Sequence, residues 1–202
     1  MRYPAGLNKS FKGTIHYDNR GMNLEADLNA TNEYYRNMDI GVIYKKPTPI
    51  TIVKVDYPSR YEAVIKEAYF RTPSTTDYNG VYKGKYIDFE AKETSLNYFP
   101  INNIHEHQIK HLKQVIKNNG IGFIIVSFTK FNKVFLLMAD KLIEYIENSK
   151  RKSIPLDYFE ENGYLIKIGY NPRLNYLKII DEVYFKGVKS WKRCWKKLKN
   201  LY

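Results

Sequence analysis

At 202 residues the chain is long enough for one sizeable hydrophobic core and too short for two comfortable domains, so a single domain is expected. Its longest apolar runs, 121–128 and 134–139, are far too short to span a bilayer and no secretory pattern opens the chain, so a cytoplasmic protein is expected. A single cysteine excludes an internal disulfide and a cysteine-based zinc site. The formal net charge of +12 indicates a polyanionic partner.

The first part of the chain predicts a flexible arm, a helix and a strand. Residues 1–18 show no hydrophobic periodicity and few aliphatic side chains, which favours a flexible N-terminal arm. From Asn19 to about Arg36 apolar residues recur at helical spacing, with acids such as Glu25 early in the run. Residues 40–44 read as a strand, and the prolines that follow must leave the sheet because proline has no backbone N–H to donate.

Residues 46–70 are expected to form a separate β-hairpin. Residues 50–55 alternate apolar and polar side chains, residues 57–60 form a turn, and residues 63–70 are a second strand. The residues alone leave open whether this hairpin projects or packs flat. Its basic and aromatic side chains include Lys45, Lys46, Lys54, Arg60, Lys66, Tyr57, Tyr61, Tyr69 and Phe70.

Residues 75–92 contain the pattern that carries most of the functional argument. Aromatic and β-branched side chains on both sides of Lys83-Gly84 predict two strands joined by a tight turn. Counting outward from that turn puts Asp77 opposite Glu90. A turn at Asn79-Gly80 is in itself a stronger hairpin signal and would pair Asp77 elsewhere, so both registers stay open at this point. The first register also pairs Tyr82 with Lys85 and Thr75 with Lys92.

The first register creates an unusual polar face. Strand alternation groups Asp77 with Asp88, Glu90 and Lys92, opposite an apolar face formed by residues 87, 89 and 91. Two carboxylates about 5 Å apart, at an effective dielectric constant of about 20, repel by roughly 3 kcal/mol. A divalent cation turns this repulsion into a ligand set, and Mg²⁺ needs only one or two protein carboxylates. A metal with a nearby ammonium is what phosphodiester hydrolysis requires, although Glu-x-Lys alone is usually a solvated ion pair.

The spacing of Asp77 and Glu90-Ala91-Lys92 resembles the Asp…(Asp/Glu)-x-Lys signature of the restriction-endonuclease-like nuclease fold, which is a loose motif. Longer strings are more specific, and they follow the order seen in RecU-type Holliday junction resolvases of Gram-positive bacteria over roughly residues 17–185. These strings are Asn19-Arg20-Gly21-Met22, Lys45-Lys46-Pro47-Thr48-Pro49, Thr75-Thr76-Asp77-Tyr78-Asn79-Gly80, Asp88-Phe89-Glu90-Ala91-Lys92-Glu93 and His107-Gln108.

This resemblance implies an α/β fold: a mixed β-sheet flanked by helices, of restriction-endonuclease-like type. It makes residues 19–185 a nuclease domain and residues 46–70 a projecting basic stalk that engages the centre of the junction. It further implies a homodimer that cuts a four-way DNA junction by two nicks in opposed strands, since a twofold dimer offers two equivalent sites. A recombinase or branch-migration machinery is a further candidate partner.

The resemblance also assigns roles to individual residues. Asp77 and Glu90 would bind Mg²⁺, for which Mn²⁺ could substitute, and Lys92 would stabilise the pentacovalent phosphate or orient the water. Thr75 and Gln108 would support the metal, while Asp88 is expected to assist the ligands rather than bind. The DNA-binding candidates are Arg20, Lys45, Lys46, Arg60, Tyr69 and Phe70. In the wider fold a glutamate of the first helix often approaches the metal, which makes Glu25 a candidate beside its alternative as a solvated helix-terminal acid.

Two rival functions remain at this stage. One is a non-catalytic protein that binds branched DNA, and the other is a nuclease of the same fold that acts on duplex DNA. The two adjacent carboxylates count against a pure binder, because they repel phosphate.

The second half of the chain predicts the rest of the domain. A helix over about 105–119, capped by Asn102 or Asn103, carries three histidines that are interpreted as helix surface rather than zinc ligands. Residues 121–128 and 133–138 are continuous apolar runs typical of central strands. Short helices are expected at 140–148, 155–161 and 174–185, with an edge strand at 164–168. Residues 186–202 combine seven basic residues with apolar residues at helical spacing, which predicts a basic amphipathic tail.

Overall fold

The computed structural model describes residues 23–59, 61–71 and 75–185. The predicted arm at 1–18, the tail at 186–202 and the candidates Arg20 and Arg60 lie outside these ranges. The helices are α1 (Leu24–Asn37), α2 (Glu106–Lys117), α3 (Ala139–Asn148), α4 (Leu156–Asn162) and α5 (Tyr176–Ile180), the last followed by a π-helical turn at Asp181–Phe185. The strands are β1 (Val42–Lys45), β2 (Ile50–Asp56), β3 (Val64–Phe70), β4 (Tyr78–Tyr82), β5 (Lys85–Thr94), β6 (Tyr98–Pro100), β7 (Ile121–Phe128), β8 (Lys133–Met138), β9 (Ser153–Pro155) and β10 (Tyr164–Ile166).

A six-stranded mixed sheet in the order β1-β4-β5-β7-β8-β10 organises the fold. β5 and β7 are parallel and every other neighbouring pair is antiparallel. One face packs on α1 and α5, and the other packs on α2, α3 and α4, so each face has its own hydrophobic core. β7 is buried along its whole length, as its continuous apolar run predicted. A mixed sheet flanked by helices is therefore confirmed.

Several predicted boundaries shift for local reasons. α1 begins only at Leu24, because the side chain of Asn23 accepts the N–H groups of residues 25 and 26 and so caps the helix. α2 begins at Glu106 rather than after Asn102 or Asn103, since that segment forms a 3₁₀ turn instead. The helix predicted at 155–161 begins at Leu156, because Pro155 ends the short strand β9, which pairs with β6. Within the described ranges, no helix is long and apolar enough to cross a membrane.

The hairpin of β2 and β3 stands apart from the sheet. Among the residues that the structure describes, the two strands pair only with each other, and every residue in them is exposed. The predicted stalk therefore projects and does not pack flat.

The turn between β4 and β5 selects the first of the two predicted registers. Lys83 and Gly84 both have positive φ, at 48° and 77°, which is the geometry of a two-residue hairpin turn. Pairing runs from Tyr82 with Lys85 to Tyr78 with Phe89. Gly80 lies inside β4 for another reason: a Cβ there would come within 2.1 Å of the backbone oxygen of Val42. The glycine thus allows β1 to approach, and the Asn79-Gly80 turn does not form.

Candidate active site

The candidate site lies on the face of β5 that α2 covers. Ile87 and Phe89 point into the core beneath α1 and α5, so strand alternation turns Asp88, Glu90 and Lys92 to the opposite face. Glu90 and Asp88 are nevertheless fully buried. The predicted polar face is therefore largely covered by protein rather than open to solvent.

Aromatic rings on the opposite face of the sheet support β5, the strand that carries the site. The rings of Tyr78, Phe89 and Phe123, on β4, β5 and β7, form a continuous stack with centroid separations of 4.8 and 4.7 Å. Offset aromatic stacks of this kind add to the stability supplied by burial. The three strands beneath the carboxylates are thus locked side by side.

Asp77 and Glu90 meet where β4 begins. The backbone N–H of Asp77 donates to Oε2 of Glu90 over 3.1 Å. Backbone pairing with β5 stops at Tyr78, so the predicted pairing of Thr75 with Lys92 is wrong. The backbone N–H of Asp77 bonds the side chain of Glu90 instead of the β5 backbone, and its carbonyl accepts the backbone N–H of Lys46, after β1, over 2.7 Å.

The environment makes Glu90 easy to protonate. Burial, followed by a hydrogen bond to Asp77 and its negative charge, raises the pKa of Glu90 to about 7, and Lys92 opposes the rise. Like charges that share one site disfavour full ionisation of both carboxylates. A divalent cation would therefore compete directly with a proton for this pair.

Lys92 lies on the accessible side of the carboxylate pair. Its Nζ is 2.6 Å from Oε1 of Glu90, and 24% of its side chain is exposed while Glu90 is covered. The ammonium partly offsets the buried charge. It can also be reached by a substrate that approaches from solvent.

Glu25, the candidate from α1, forms an ion pair with Lys45 over 2.5 Å. Burial, followed by the charges of Glu25, Asp77 and Glu90, raises the pKa of Tyr78. The carboxylate of Glu25 is thus paired to a lysine.

Helix α2 packs across β5. The backbone carbonyl of Asn119, just past the C-terminus of α2, accepts from Nζ of Lys85, at the start of β5, over 3.3 Å. Farther back on the helix, Nε2 of His111 lies 3.1 Å from Oδ2 of Asp88. The helix therefore runs antiparallel to β5. Gln108 lies one helical turn before His111.

Both predicted supporting residues carry neutral oxygens. Gln108 is buried, and its Oε1 accepts the backbone N–H of His105 over 2.9 Å, so it caps α2. An amide oxygen has two lone pairs and can hold another partner. Thr75 is half-buried in the bend before Asp77.

These donors fit a hard divalent cation. Two carboxylates with neutral oxygens are the ligands that Mg²⁺ takes, with water completing its shell. Oε1 of Glu90 is buried and makes no hydrogen bond, because the contact with Lys92 is an ion pair without hydrogen-bond geometry. A lone pair therefore remains for a ligand. Among the residues that the structure describes, no group of three or more His, Cys, Asp or Glu converges, so the set rests on Asp77, Glu90 and neutral oxygens.

A polar cluster around Asp88 escaped the sequence reasoning. Lys46, Thr76, Tyr86 and His111 all contact its carboxylate. The interpretation of the histidines as helix surface is wrong for His111, which is half-buried against Asp88. The sequence did show that Asp88 and Glu90, two residues apart on one strand, point to the same face. It could not show which side chains contact Asp88, because most of them come from distant segments.

The described DNA-binding candidates differ in side-chain exposure and in whether they are paired within the protein. Lys45 is paired with Glu25, and Nζ of Lys46 is paired with Asp88 over 2.8 Å with 18% of its side chain exposed. Phe70 is 83% exposed at the base of the stalk. Beside it, the hydroxyl of exposed Tyr69 donates to Glu67 over 2.6 Å.

Comparison with known proteins gives a consistent picture. The family described as RecU, Recombination protein U, matches residues 19–182. A Holliday junction resolvase RecU from Geobacillus sp. is 55% identical over 197 residues, which cover 92% of this chain and 98% of the relative. The protein of the same name from Bacillus thuringiensis is 52% identical with the same coverage.

Among solved structures, Archaeoglobus fulgidus Hjc, a Holliday junction resolvase from an archaeal hyperthermophile, aligns with a TM-score of 0.45 and 10% identity, covering 72% of this chain and 95% of its own. The family match spans most of the present chain, including Asp77, Glu90 and Lys92. This chain therefore belongs to the recombination protein U (RecU) family.

Proposed function

We propose that this protein is an endonuclease that resolves four-way DNA junctions by paired, Mg²⁺-dependent phosphodiester hydrolysis. The observation that carries the proposal is the convergence of Asp77, Glu90 and Lys92 on the hairpin of β4 and β5 in a member of the RecU family. Relatives that match nearly the whole chain are named Holliday junction resolvases.

In this proposal each residue acts through a contact already described. Asp77 and Glu90 would hold the ion, with Thr75 and Gln108 as neutral supports. A bound Mg²⁺ would polarise the scissile phosphate and lower the pKa of a water molecule. Lys92, partly exposed and paired to Glu90, would place its ammonium against the charge that develops on the phosphate. Burial of Glu90 excludes bulk water from this side of the site.

A homodimer is part of the proposal. Val42, Val81 and Tyr86 are opposite one another across β1, β4 and β5, so they form one apolar row, and each is at least 40% exposed. Beyond β5 this face of the sheet is covered by α2, whereas no described helix covers it at β1 and β4. The exposed stalk adds further apolar surface that a second copy would cover. Contiguous exposed apolar surface is typical of interaction sites.

The dimer is tested by sedimentation of Val42→Asp. The charge should dissociate the dimer, while Leu165→Asp on the opposite edge strand, where Leu165 is also exposed, should leave it intact. A monomeric parent protein, or a Val42→Asp variant that stays dimeric, would contradict this interface.

Such an enzyme would act in the cytoplasm, next to the recombinase or branch-migration machinery that supplies its substrate. Its stalk, through Tyr69 and Phe70, would stack on bases that are unpaired at the centre of the junction. Lys45, Lys46, Arg20 and Arg60 would contact phosphates.

The central experiment compares a four-way junction with a linear duplex of the same sequence, each incubated with pure protein and Mg²⁺ or Mn²⁺. Paired nicks in the junction, absent with EDTA and absent in Asp77→Ala, are the expected result. Equal cleavage of the linear duplex would indicate a nuclease without junction selectivity. A junction that is bound but remains intact with either metal would favour the non-catalytic binder.

A further inference from the structure

Asp88 is a buried carboxylate that no step of the proposed reaction uses. Its Oδ1 accepts the hydroxyl of Thr76, and its Oδ2 accepts Nζ of Lys46 over 2.8 Å and the hydroxyl of Tyr86 over 2.7 Å. Nε2 of His111 lies 3.1 Å from the same Oδ2, without hydrogen-bond geometry. A fully buried charge is tolerated only with partners of this kind.

Two of these partners are the roots of the stalk. Lys46 is the first residue after β1, where the chain leaves the sheet, and Thr76 lies where the chain returns, two residues before β4. Nζ of Lys46 also donates to Oγ1 of Thr76 over 3.1 Å, so both roots and the carboxylate form one closed cluster. Farther out, the backbone of Arg71 donates to Pro49 over 3.0 Å and closes the neck of the stalk.

The same cluster is directly linked to the candidate metal site. Thr76 precedes Asp77 in the chain, so the bend at these two residues makes two adjacent contacts with β5. Thr76 is bonded to Asp88, and the N–H of Asp77 is bonded to Glu90. Because backbone pairing with β5 ends at Tyr78, these side-chain contacts are what place the bend on that strand.

Asp88 already accepts three hydrogen bonds and is therefore poorly suited to bind the metal itself. A carboxylate offers about four lone-pair sites. Three donors and the ring of His111 face those sites. The role that remains is to hold other groups in place.

We propose that Asp88 is a positioning residue that ties both roots of the stalk to β5 and thereby holds Asp77 where it can share a metal ion with Glu90. The inference rests on the proposed function, since it assumes a metal at that pair. It goes further because it couples the stalk to the metal site: a displacement of the stalk would be transmitted to Asp77 through Lys46 and Thr76.

The test uses full-length protein and three variants around the cluster. Asp88→Asn removes the charge at constant size, Thr76→Val removes only the hydroxyl, and Thr76→Ser retains it. Asp27→Asn is the matched control, because Asp27 is a largely covered carboxylate on α1 whose ion pair with Arg173 spans 3.0 Å and lies away from the cluster. Metal binding is measured by thermal shift during titration with Ca²⁺, and junction binding and single-turnover cleavage are measured separately.

Asp88→Asn and Thr76→Val should weaken Ca²⁺ binding and slow cleavage by about 10- to 100-fold, the usual cost of losing a group that orients a metal ligand. Junction binding should stay at the parent level, and Thr76→Ser should behave like the parent. Asp27→Asn should lower the melting temperature without changing either metal-dependent quantity.

The inference is overturned if Thr76→Val binds Ca²⁺ and cleaves like the parent, even if Asp88→Asn is inactive, because Asp88 then does not act through Thr76. If Asp88→Asn fails to fold, the comparison of Thr76→Val with Thr76→Ser still tests whether the Thr76 hydroxyl is needed for metal binding and cleavage. A parent protein that neither binds Ca²⁺ nor cleaves refutes the proposed function instead.

Discussion

The raised pKa of Glu90 predicts how the stability of the metal-free protein changes with pH. The folded protein lifts this pKa from its ordinary value of 4.5 to about 7, chiefly through burial. A raised carboxyl pKa means that the folded state binds the proton more tightly than the unfolded chain. The resulting stabilisation is fully present below the unfolded pKa and is lost as the pH rises through about 7.

Linkage sets the size of the effect. Between about pH 8 and about pH 5.5, this single group should add about 2 kcal/mol to the free energy of unfolding. In a chain of this size, about 2 kcal/mol corresponds to a rise of roughly 4–8 °C in the melting temperature. Glu90 is fully buried, so solvent screening does not reduce the effect substantially.

The assay is thermal unfolding in EDTA across this pH range, with the parent protein and Glu90→Gln side by side. Every other titratable group is present in both proteins, so the difference between the two curves isolates Glu90. That difference should grow steadily as the pH falls. Saturating Mg²⁺ should flatten the parent curve, because a bound cation keeps the carboxylate ionised. Parallel curves for the parent and Glu90→Gln would refute the reasoning.

Three further outcomes are expected. Asp77→Ala should abolish cleavage while junction binding persists, and in EDTA it should not melt below the parent, since it removes a like charge from Glu90; a clear loss of stability would contradict the paired-carboxylate geometry. Lys92→Met should slow single-turnover cleavage by about 10²–10³-fold with junction affinity retained, whereas a loss confined to affinity would make Lys92 only a phosphate contact. Phe70→Ala should weaken junction binding by about 1–3 kcal/mol without lowering the melting temperature, because Phe70 is 83% exposed; Tyr170→Ala, also highly exposed but away from the stalk, is the matched control, and an equal effect there would remove the stalk from the argument.

Local patterns in the chain predicted the strands of the central hairpin and most of the sheet. The period of two along β5 grouped its polar residues, the turn at Lys83-Gly84 was one of two predicted registers and is the one that forms, and continuous apolar runs marked β7 and β8 to the residue. Such features depend on neighbours in sequence. The specific strings around Asp77 and Glu90 likewise pointed to the RecU family before any contact was known.

Other features required partners that are distant in sequence. The three-residue strands β6 and β9 exist only because they pair with each other, and segments so short carry no periodicity of their own. The start of α2 is an exception, because its cap is local: the side chain of Gln108 accepts the backbone N–H of His105, and the asparagines upstream lie in a 3₁₀ turn. The sequence also left open whether the basic hairpin projects. The structure shows that it does, because its two strands are not part of the six-stranded sheet.

The sequence by itself determined that Asp88, Glu90 and Lys92 share one face of β5, and it reduced the pairing of Asp77 to two registers, because strand alternation and turn signals are local properties of the chain. Only the tertiary structure decided how deeply Glu90 is buried, that α2 runs antiparallel to β5, and that Asp88 joins the two roots of the stalk. Those facts depend on where α2 packs and on how the segments on either side of the stalk meet β5. They control the pKa of Glu90 and the position of Asp77.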